Sequence, residues 1–394
     1  MITNPAPALD RNGRWLADPG FGVYVHIPFC RHRCHYCDFN TYEGLDALHA
    51  PYVEALIADI ERVEAGRVAK VATSVFFGGG TPTLLSPSQL GRILSAVRAT
   101  VGVAPDAEIT TEVNPETVDE RAFADLLEAG FNRFSIGIQS LAPAVLEKLG
   151  RTHSAERALE ALAAARRAGA EDLNADLIYG SPWERPEDWR RSLEGVIDAG
   201  TDHVSAYALT IEEGTPLHAL IATGREPNVD GDIQAGRHAV ADEYLGAAGF
   251  ERYETSNWAR PARASRHNVL YWSAGDYLGF GAGAHAHIDG RRWWSQRLPR
   301  DFIASVAADE STEAGFEQLE FEERGPEALM LGLRLTSGID ITAFDARFGE
   351  ACLRERVSAI NELVGIGMLE RDHHNLRVSE RATMVANDVI SRLI

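Results

Sequence analysis

Over the first two thirds of the chain, short runs of β-branched and aromatic residues alternate with longer helical patterns. The dipeptide Ala-Gly marks the junction four times, at Gly130, Gly169, Gly200 and Gly249. A glycine just past the last helical turn takes the left-handed cap that side-chain-bearing residues resist, so each of these reads as a helix end feeding a strand. Predicted strands are Val23–Ile27, Ser74–Phe77, Glu108–Val113, Arg133–Ile138, Leu173–Ile178 and His203–Leu209. Predicted helices between and after them include Tyr52–Ala65, Gln89–Thr100, Glu120–Ala129, Ala155–Ala168 and Pro186–Ala199. Ser86-Pro87 offers an N-cap followed by a proline where the missing N–H costs nothing. Six βα units in series predict a parallel sheet with right-handed crossovers. A closed or partly closed barrel suits that pattern better than an open doubly wound sheet.

After Leu298 the rhythm stops. Glu310 to Arg324 is heavily acidic and reads as a surface linker or helix. Beyond it come helical patterns at Glu327–Leu335 and Ala351–Val364, a hairpin over Met368–Val378 and a last helix at Glu380–Leu393, which together suggest helices with a two-strand wing. The division expected is an N-terminal arm (1–20), a partial barrel (21–255), a barrel extension (256–310) and a C-terminal helical and winged unit (311–394). Among the 394 residues, 38 Lys and Arg stand against 58 Asp and Glu, a formal charge of −20. That sign disfavours nucleic acid and anionic lipid as partners. The first residues carry no apolar signal core, and no run approaches the ~20 apolar residues of a membrane span. A cytoplasmic protein is therefore expected, in which four cysteines mean metal or chemistry before disulfides.

Three of the four cysteines form Cys30-x3-Cys34-x2-Cys37, directly after the first predicted strand. The C-terminal mouth of a barrel strand is where such folds build their sites. Three thiolates in eight residues can reach three irons of one cubane cluster, leaving a fourth iron open to a small chelating ligand, since Cys352 lies far along the chain. The competing reading is a Cys3His zinc site using His32 or His35. Zinc motifs usually pair two half-sites, and no second half is visible.

The second strand ends in Phe76-Phe77-Gly78-Gly79-Gly80-Thr81-Pro82-Thr83. Consecutive glycines let a ligand approach the backbone, although a tight turn would use the same residues. It is neither a Walker A loop nor Gly-x-Gly-x-x-Gly. Glu112 and Gln139 fall near the ends of strands three and four, and Asp176 shares a strand face with Asn174. Carboxylates there need partners, which a ligand or an internal ion pair would supply.

Cys-x3-Cys-x2-Cys after the first strand resembles the radical S-adenosylmethionine superfamily. The string Tyr24-Val25-His26-Ile27-Pro28-Phe29-Cys30 resembles its subgroup of oxygen-independent coproporphyrinogen III oxidases and related heme chaperones. The resemblance runs from about Gly22 to the C-terminus and implies an incomplete (βα)6-type TIM-like barrel with a small C-terminal helical and winged domain. It implies a [4Fe–4S] cluster on Cys30, Cys34 and Cys37, with S-adenosylmethionine chelated to the open iron. Gly78, Gly79, Gly80 and Thr81 match the methionine-binding segment. Tyr24, Tyr36, Glu112, Gln139, Arg151, Asp176 and, with drifted spacing, Ala208 match further cofactor contacts. Within the subgroup, the oxidase type has a longer N-terminal arm and another cysteine two places after the third ligand. Here that place is Phe39, which favours the chaperone branch over anaerobic decarboxylation of the porphyrinogen. His267-Asn268-Val269-Leu270-Tyr271-Trp272 matches the His-Asn-x-x-Tyr-Trp motif of that branch and makes His267 the expected ligand to heme iron. His285 and His287, close to Trp293 and Trp294, stand in reserve. The implied partners are heme and heme-accepting proteins, with membrane-bound respiratory proteins and a homodimer among the candidates.

Overall fold

The computed structural model describes residues 11–63 and 70–394. The first ten residues of the arm and the predicted helix end at Ala65 lie outside that range. The first strand, β1 (Phe21–Ile27), leads through the cysteine loop to helix α1 (His49–Glu61). Then come β2 (Ala72–Gly79), α2 (Pro87–Thr100), β3 (Val103–Val113), α3 (Glu120–Ala129) and β4 (Arg133–Gln139). Helices α4 (Pro143–Leu149) and α5 (Ala155–Arg167), strand β5 (Leu173–Tyr179), α6 (Pro186–Asp198) and β6 (His203–Ala208) complete six βα repeats. Ser86 caps α2 as expected, accepting from the Gln89 amide while the Gln89 side chain accepts from that of Ser86. The four Ala-Gly glycines all hold positive φ, between 70° and 101°.

The strands β1 to β6 pair in parallel, in sequence order. Covered by helices, they bury nearly every residue, as parallel sheets do. The remaining strands extend the sheet at both ends. After α7 (Pro216–Ala222) and α8 (Gly231–Ala247), β7 (Glu251–Glu254) and β8 (Asn257–Ala259) attach antiparallel beyond β6. Helix α9 (Arg266–Trp272) then returns the chain to the other side. There β9 (Asp276–Phe280) joins β1 in parallel, Phe21 opposite Asp276 and Val25 opposite Phe280. The antiparallel strands β10 (His285–Ile288) and β11 (Arg291–Ser295) follow; after α10 (Pro299–Ala307), β12 (Glu313–Gln318) forms the edge. No pairing closes β12 onto β7 among the described residues, so the barrel stays incomplete.

The C-terminal unit starts with α11 (Phe321–Gly332) and adds α12 (Ile341–Phe348), α13 (Ala351–Glu355) and α14 (Val357–Gly365). A small sheet joins β13 (Ile339–Asp340), β14 (Leu369–Arg371) and β15 (Asn375–Val378), so the predicted hairpin is present. Three details differ from expectation. The acidic stretch Glu310–Arg324 holds an edge strand and the first turn of α11, because Arg291 and Arg292 on β11 pair with Glu313 and Glu317. The helix predicted over Ala351–Val364 breaks at Arg356. The last predicted helix begins with a tighter 3-10 stretch, Glu380–Val385, and turns α-helical only over Ala386–Ser391. A second apolar core holds this unit together, and Trp15 of the arm packs into it beside Phe344.

Candidate cofactor site and the buried motif helix

The C-terminal ends of β1 to β6 surround one cavity of about 390 Å3. Cys30, Cys34 and Cys37 line it, with Tyr36, Gly79, Gly80, Thr81, Glu112, Gln139, Arg151, Asp176 and Ala208. Two expected contacts lie outside the lining. Tyr24 is half-buried beside the cavity on the same strand face as His26, its hydroxyl 2.8 Å from His26 Nδ1, while Val23 and Val25 on the other face enter the core. Gly78 stands behind the lining, where an added Cβ would fall 3.1 Å from the Glu112 carboxylate.

Backbone bonds fix the cysteine loop to the strand ends. Gly80 N donates to Ile27 O at 2.8 Å, Thr81 N to Phe29 O at 2.7 Å and Tyr42 N to Pro28 O at 2.7 Å. His35 N donates to Leu149 O at 3.0 Å. Gly80 admits no side chain, since a Cβ there would sit 2.4 Å from Phe29 O. Gly79 holds φ 112°, and a Cβ on it would strike the His26 ring at 2.4 Å. All three cysteines are free thiols. Each sulfur has a polar neighbour: Thr81 Oγ1 at 3.8 Å from Cys30, Arg151 Nη1 at 3.6 Å from Cys34 and Thr41 Oγ1 at 3.9 Å from Cys37. Burial pushes the Cys30 thiol up to about 11 and raises Cys37. Among the described residues no three His, Cys, Asp or Glu side chains converge on a single-ion site.

Opposite the cysteines lie two half-buried carboxylates. Glu112 Oε2 accepts from Gly79 N at 3.0 Å. Burial, reinforced by the neighbouring Asp176, pushes its pKa up to about 8. Asp176 accepts from Ser135 Oγ at 2.9 Å and Asn174 Nδ2 at 2.7 Å, while burial raises it too. Gln139 sits at φ 62°, a left-handed conformation uncommon without glycine and often found where function demands it. Ser135, missed by sequence reasoning, is detectable in retrospect as the alternate residue facing inward on β4, two before Gly137. Phe39 stands 63% exposed at the cavity mouth, and the fourth cysteine, Cys352, is buried in the C-terminal core. No fourth thiol reaches the site.

The motif helix α9 is not part of this cavity. His267 is 2% exposed, packed against Ser74 and Phe76 of β2. Its Nδ1 pairs with Ser74 Oγ at 2.9 Å and its Nε2 with the Tyr271 hydroxyl at 2.9 Å. The ring stacks on Phe76 at 5.3 Å. Burial holds its pKa down to about 3, so it is neutral. Both ring nitrogens thus have a hydroxyl partner within the protein. Asn268 reaches the Tyr253 hydroxyl at 3.4 Å; that hydroxyl is 3.0 Å from His203 Nε2. His203 Nδ1 meets Asn174 Oδ1 at 2.7 Å, which returns to Asp176. The Trp272 ring lies under the Arg334 guanidinium at 5.5 Å. Of the reserve histidines, His285 is exposed and stacks on Trp294 at 5.7 Å, and His287 is half-buried.

An incomplete parallel barrel with three cysteines after its first strand defines a class. Residues 24–196 match the model of the radical SAM superfamily, and residues 319–385 that of the HemN C-terminal domain. The fold agrees with a solved structure described as coproporphyrinogen III oxidase (HemN) from Escherichia coli, a radical SAM enzyme. The TM-score is 0.81 at 21% identity, covering 97% of this chain and 92% of that one. Sequence relatives narrow the class. "Heme chaperone HemW" of Mycobacterium tuberculosis is 41% identical over 377 residues, 95% of each chain. "Heme chaperone HemW" of Bacillus subtilis is 30% identical over 94% of this chain and 98% of its own. "Radical S-adenosyl methionine domain-containing protein 1, mitochondrial" of Bos taurus is 34% identical over 100% of this chain and 92% of its own. The chain belongs to the HemW family of the radical SAM superfamily. Among the described residues no helix is long and apolar enough to cross a membrane.

Proposed function

We propose that the protein binds heme and delivers it to heme-accepting proteins, while its barrel holds a [4Fe–4S] cluster and S-adenosylmethionine. The observation that carries this reading is the end-to-end relation to the M. tuberculosis heme chaperone, at 41% identity over 95% of both chains. The residues present suit the cluster. Three free cysteines share one cavity, each with a polar neighbour at its sulfur, beside a glycine that a methyl group would drive into the loop. Cys30, Cys34 and Cys37 would hold it, and it would supply an iron lacking a cysteine ligand.

The remaining lining suits a zwitterionic ligand with a polar nucleoside. Glu112, fixed by the Gly79 amide, offers an acceptor to an ammonium group. Arg151, whose Nη2 donates to Gly137 O at 2.9 Å, brings a cation to the same wall. Asp176, held by Ser135 and Asn174, is placed to accept from hydroxyls. The exposed Phe39, standing where the oxidase type has a cysteine, weighs against porphyrinogen decarboxylation.

The test is a hemin titration of anaerobically reconstituted protein, followed by mixing the loaded protein with an apo heme protein. Saturable binding near one heme per chain, then transfer, is the expected result. Absence of saturable binding would refute the chaperone reading.

A further inference from the structure

The two carboxylates of the cofactor cavity differ in what stands behind them. Glu112 accepts from a backbone amide, Gly79 N at 3.0 Å. Asp176 ends a line of side chains that reaches it from outside the cavity. Alternation along β5 turns Asn174 and Asp176 to one face and the apolar Leu173, Ala175 and Leu177 to the other. The parallel register then sets Asn174 beside His203 and Asp176 beside Ser205. From His203 the line crosses to Tyr253 on β7 and on to Asn268 on α9. Asn174, His203 and Tyr253 are all buried, so their polar atoms depend on one another for partners.

The chemistry of these groups gives every bond a direction. An ionised carboxylate only accepts, so Asn174 turns its Nδ2 to Asp176, at 2.7 Å, and its Oδ1 away. An amide oxygen also only accepts, so His203 Nδ1, 2.7 Å from it, carries the imidazole proton. Burial, with Arg133 nearby, holds the pKa of this ring well below the ordinary value; it has a single proton, and Nε2 is bare. Nε2 accepts from the Tyr253 hydroxyl at 3.0 Å, and the oxygen of that hydroxyl faces Asn268 Nδ2 at 3.4 Å. All the donors therefore run one way, toward Asp176, and hydrogen bonds aligned in this sense strengthen one another. Ser135 Oγ adds a further donor at 2.9 Å. The two carboxylates divide their roles accordingly. Glu112, pushed up to about 8 by burial and by Asp176, keeps its proton, and Asp176 carries the charge.

We propose that His203 is a positioning residue for the cofactor: through Asn174 it keeps Asp176 ionised and aimed into the cavity, ready for the hydroxyl donors of a bound nucleoside. The inference rests on the reading that this cavity holds S-adenosylmethionine, and adds to it a residue that is not in the lining. Tyr253 completes the device. Its O–H occupies Nε2 and so leaves the imidazole proton on Nδ1, where Asn174 needs it. The line starts on the motif helix, so α9 and the cofactor wall share one run of hydrogen bonds.

The experiment measures S-adenosylmethionine affinity by equilibrium dialysis on the anaerobically reconstituted full-length protein, between about pH 6 and pH 8, with folding checked by circular dichroism. The charged and titratable groups that face Asp176 are Glu112 on β3, Arg133 on β4 and Tyr207 on β6, and every variant keeps them. His203→Leu removes the donor to Asn174, so Asp176 ionises at a higher pH. Its affinity should fall about three- to tenfold near pH 6 and recover toward wild type by about pH 8. Tyr253→Phe keeps the ring, loses the hydroxyl and should move the same way by a smaller factor. His203→Gln can donate to Asn174 and accept from Tyr253, and should restore the wild-type profile. His238, a buried histidine outside the line, is the control, and His238→Leu should bind as wild type. If His203→Leu (or Tyr253→Phe, should the leucine variant not fold) binds as wild type or loses the same factor at every pH, this inference falls alone. If the wild type does not bind S-adenosylmethionine, the cofactor reading falls and carries this inference with it.

Discussion

Replacing Glu112 with Gln should stabilise the ligand-free protein, and do so only as the pH rises. The carboxyl is half-buried in the cavity wall, and its pKa stands at about 8 against an ordinary 4.5. An unfolded chain exposes an ordinary glutamate. Above pH 4.5 the unfolded state therefore releases a proton that the folded state retains, and stability is lost as the pH climbs through about 8. A tenfold change in a protonation equilibrium corresponds to about 1.4 kcal/mol, so an ionised Glu112 costs the fold on the order of 4–5 kcal/mol. Glutamine keeps the acceptor for Gly79 N and cannot ionise. Urea unfolding of both proteins across this range should show the variant gaining about 1.4 kcal/mol per pH unit relative to wild type, levelling above about pH 8. A stability difference that does not change with pH would show that Glu112 is solvated or paired in the apoprotein. It would refute the argument from burial. The same substitution should weaken binding of S-adenosylmethionine, because glutamine cannot ionise in response to the ammonium group as the carboxyl can.

The other predictions concern packing and ligation. His267→Phe removes the partner of both Ser74 and Tyr271 and should cost about 2–4 kcal/mol at neutral pH by urea unfolding. That penalty should shrink on acidification below about pH 6.5, since a buried neutral histidine loses its contribution as the pH falls toward its folded pKa of about 3. Gly80→Ala should displace the cysteine loop and abolish iron and sulfide loading. Gly246→Ala, on an open helix face of α8, should leave loading intact and add about 0.5–1 kcal/mol of stability. Cys34→Ser should remove the brown absorbance of a reconstituted cluster, and Cys352→Ala should retain it.

The repeating half of this fold was legible because each helix end carried its own chemistry. Gly130, Gly169, Gly200 and Gly249 marked the junctions by conformational need alone, and all four take positive φ. The mouth of the sheet was legible for a related reason: Cys30, Gly80 and Glu112 each lie within three residues of a strand's C-terminal end, so sequence order places them together. What escaped depended on distant partners. Strand β9 (Asp-Tyr-Leu-Gly-Phe) carries little local signal and owes its place to pairing with β1, more than 250 residues earlier. The edge strand β12 was hidden by its charges, which read as solvated until the arginines of β11 are seen opposite them. His267 was the hardest to judge. An imidazole among aromatics looks the same in sequence whether it faces a ligand or a serine hydroxyl across a helix–sheet interface.

That interface changes what a sequence pattern can be used for. His267, Asn268, Tyr271 and Trp272 each hold an internal partner drawn from the barrel, the helix itself or the C-terminal unit. A chain that lost one of them would leave its partner unpaired in this seam and lose stability. The pattern His-Asn-x-x-Tyr-Trp thus reports that barrel and C-terminal unit are mortised together in this manner. In a genome survey it would count intact joints of this kind.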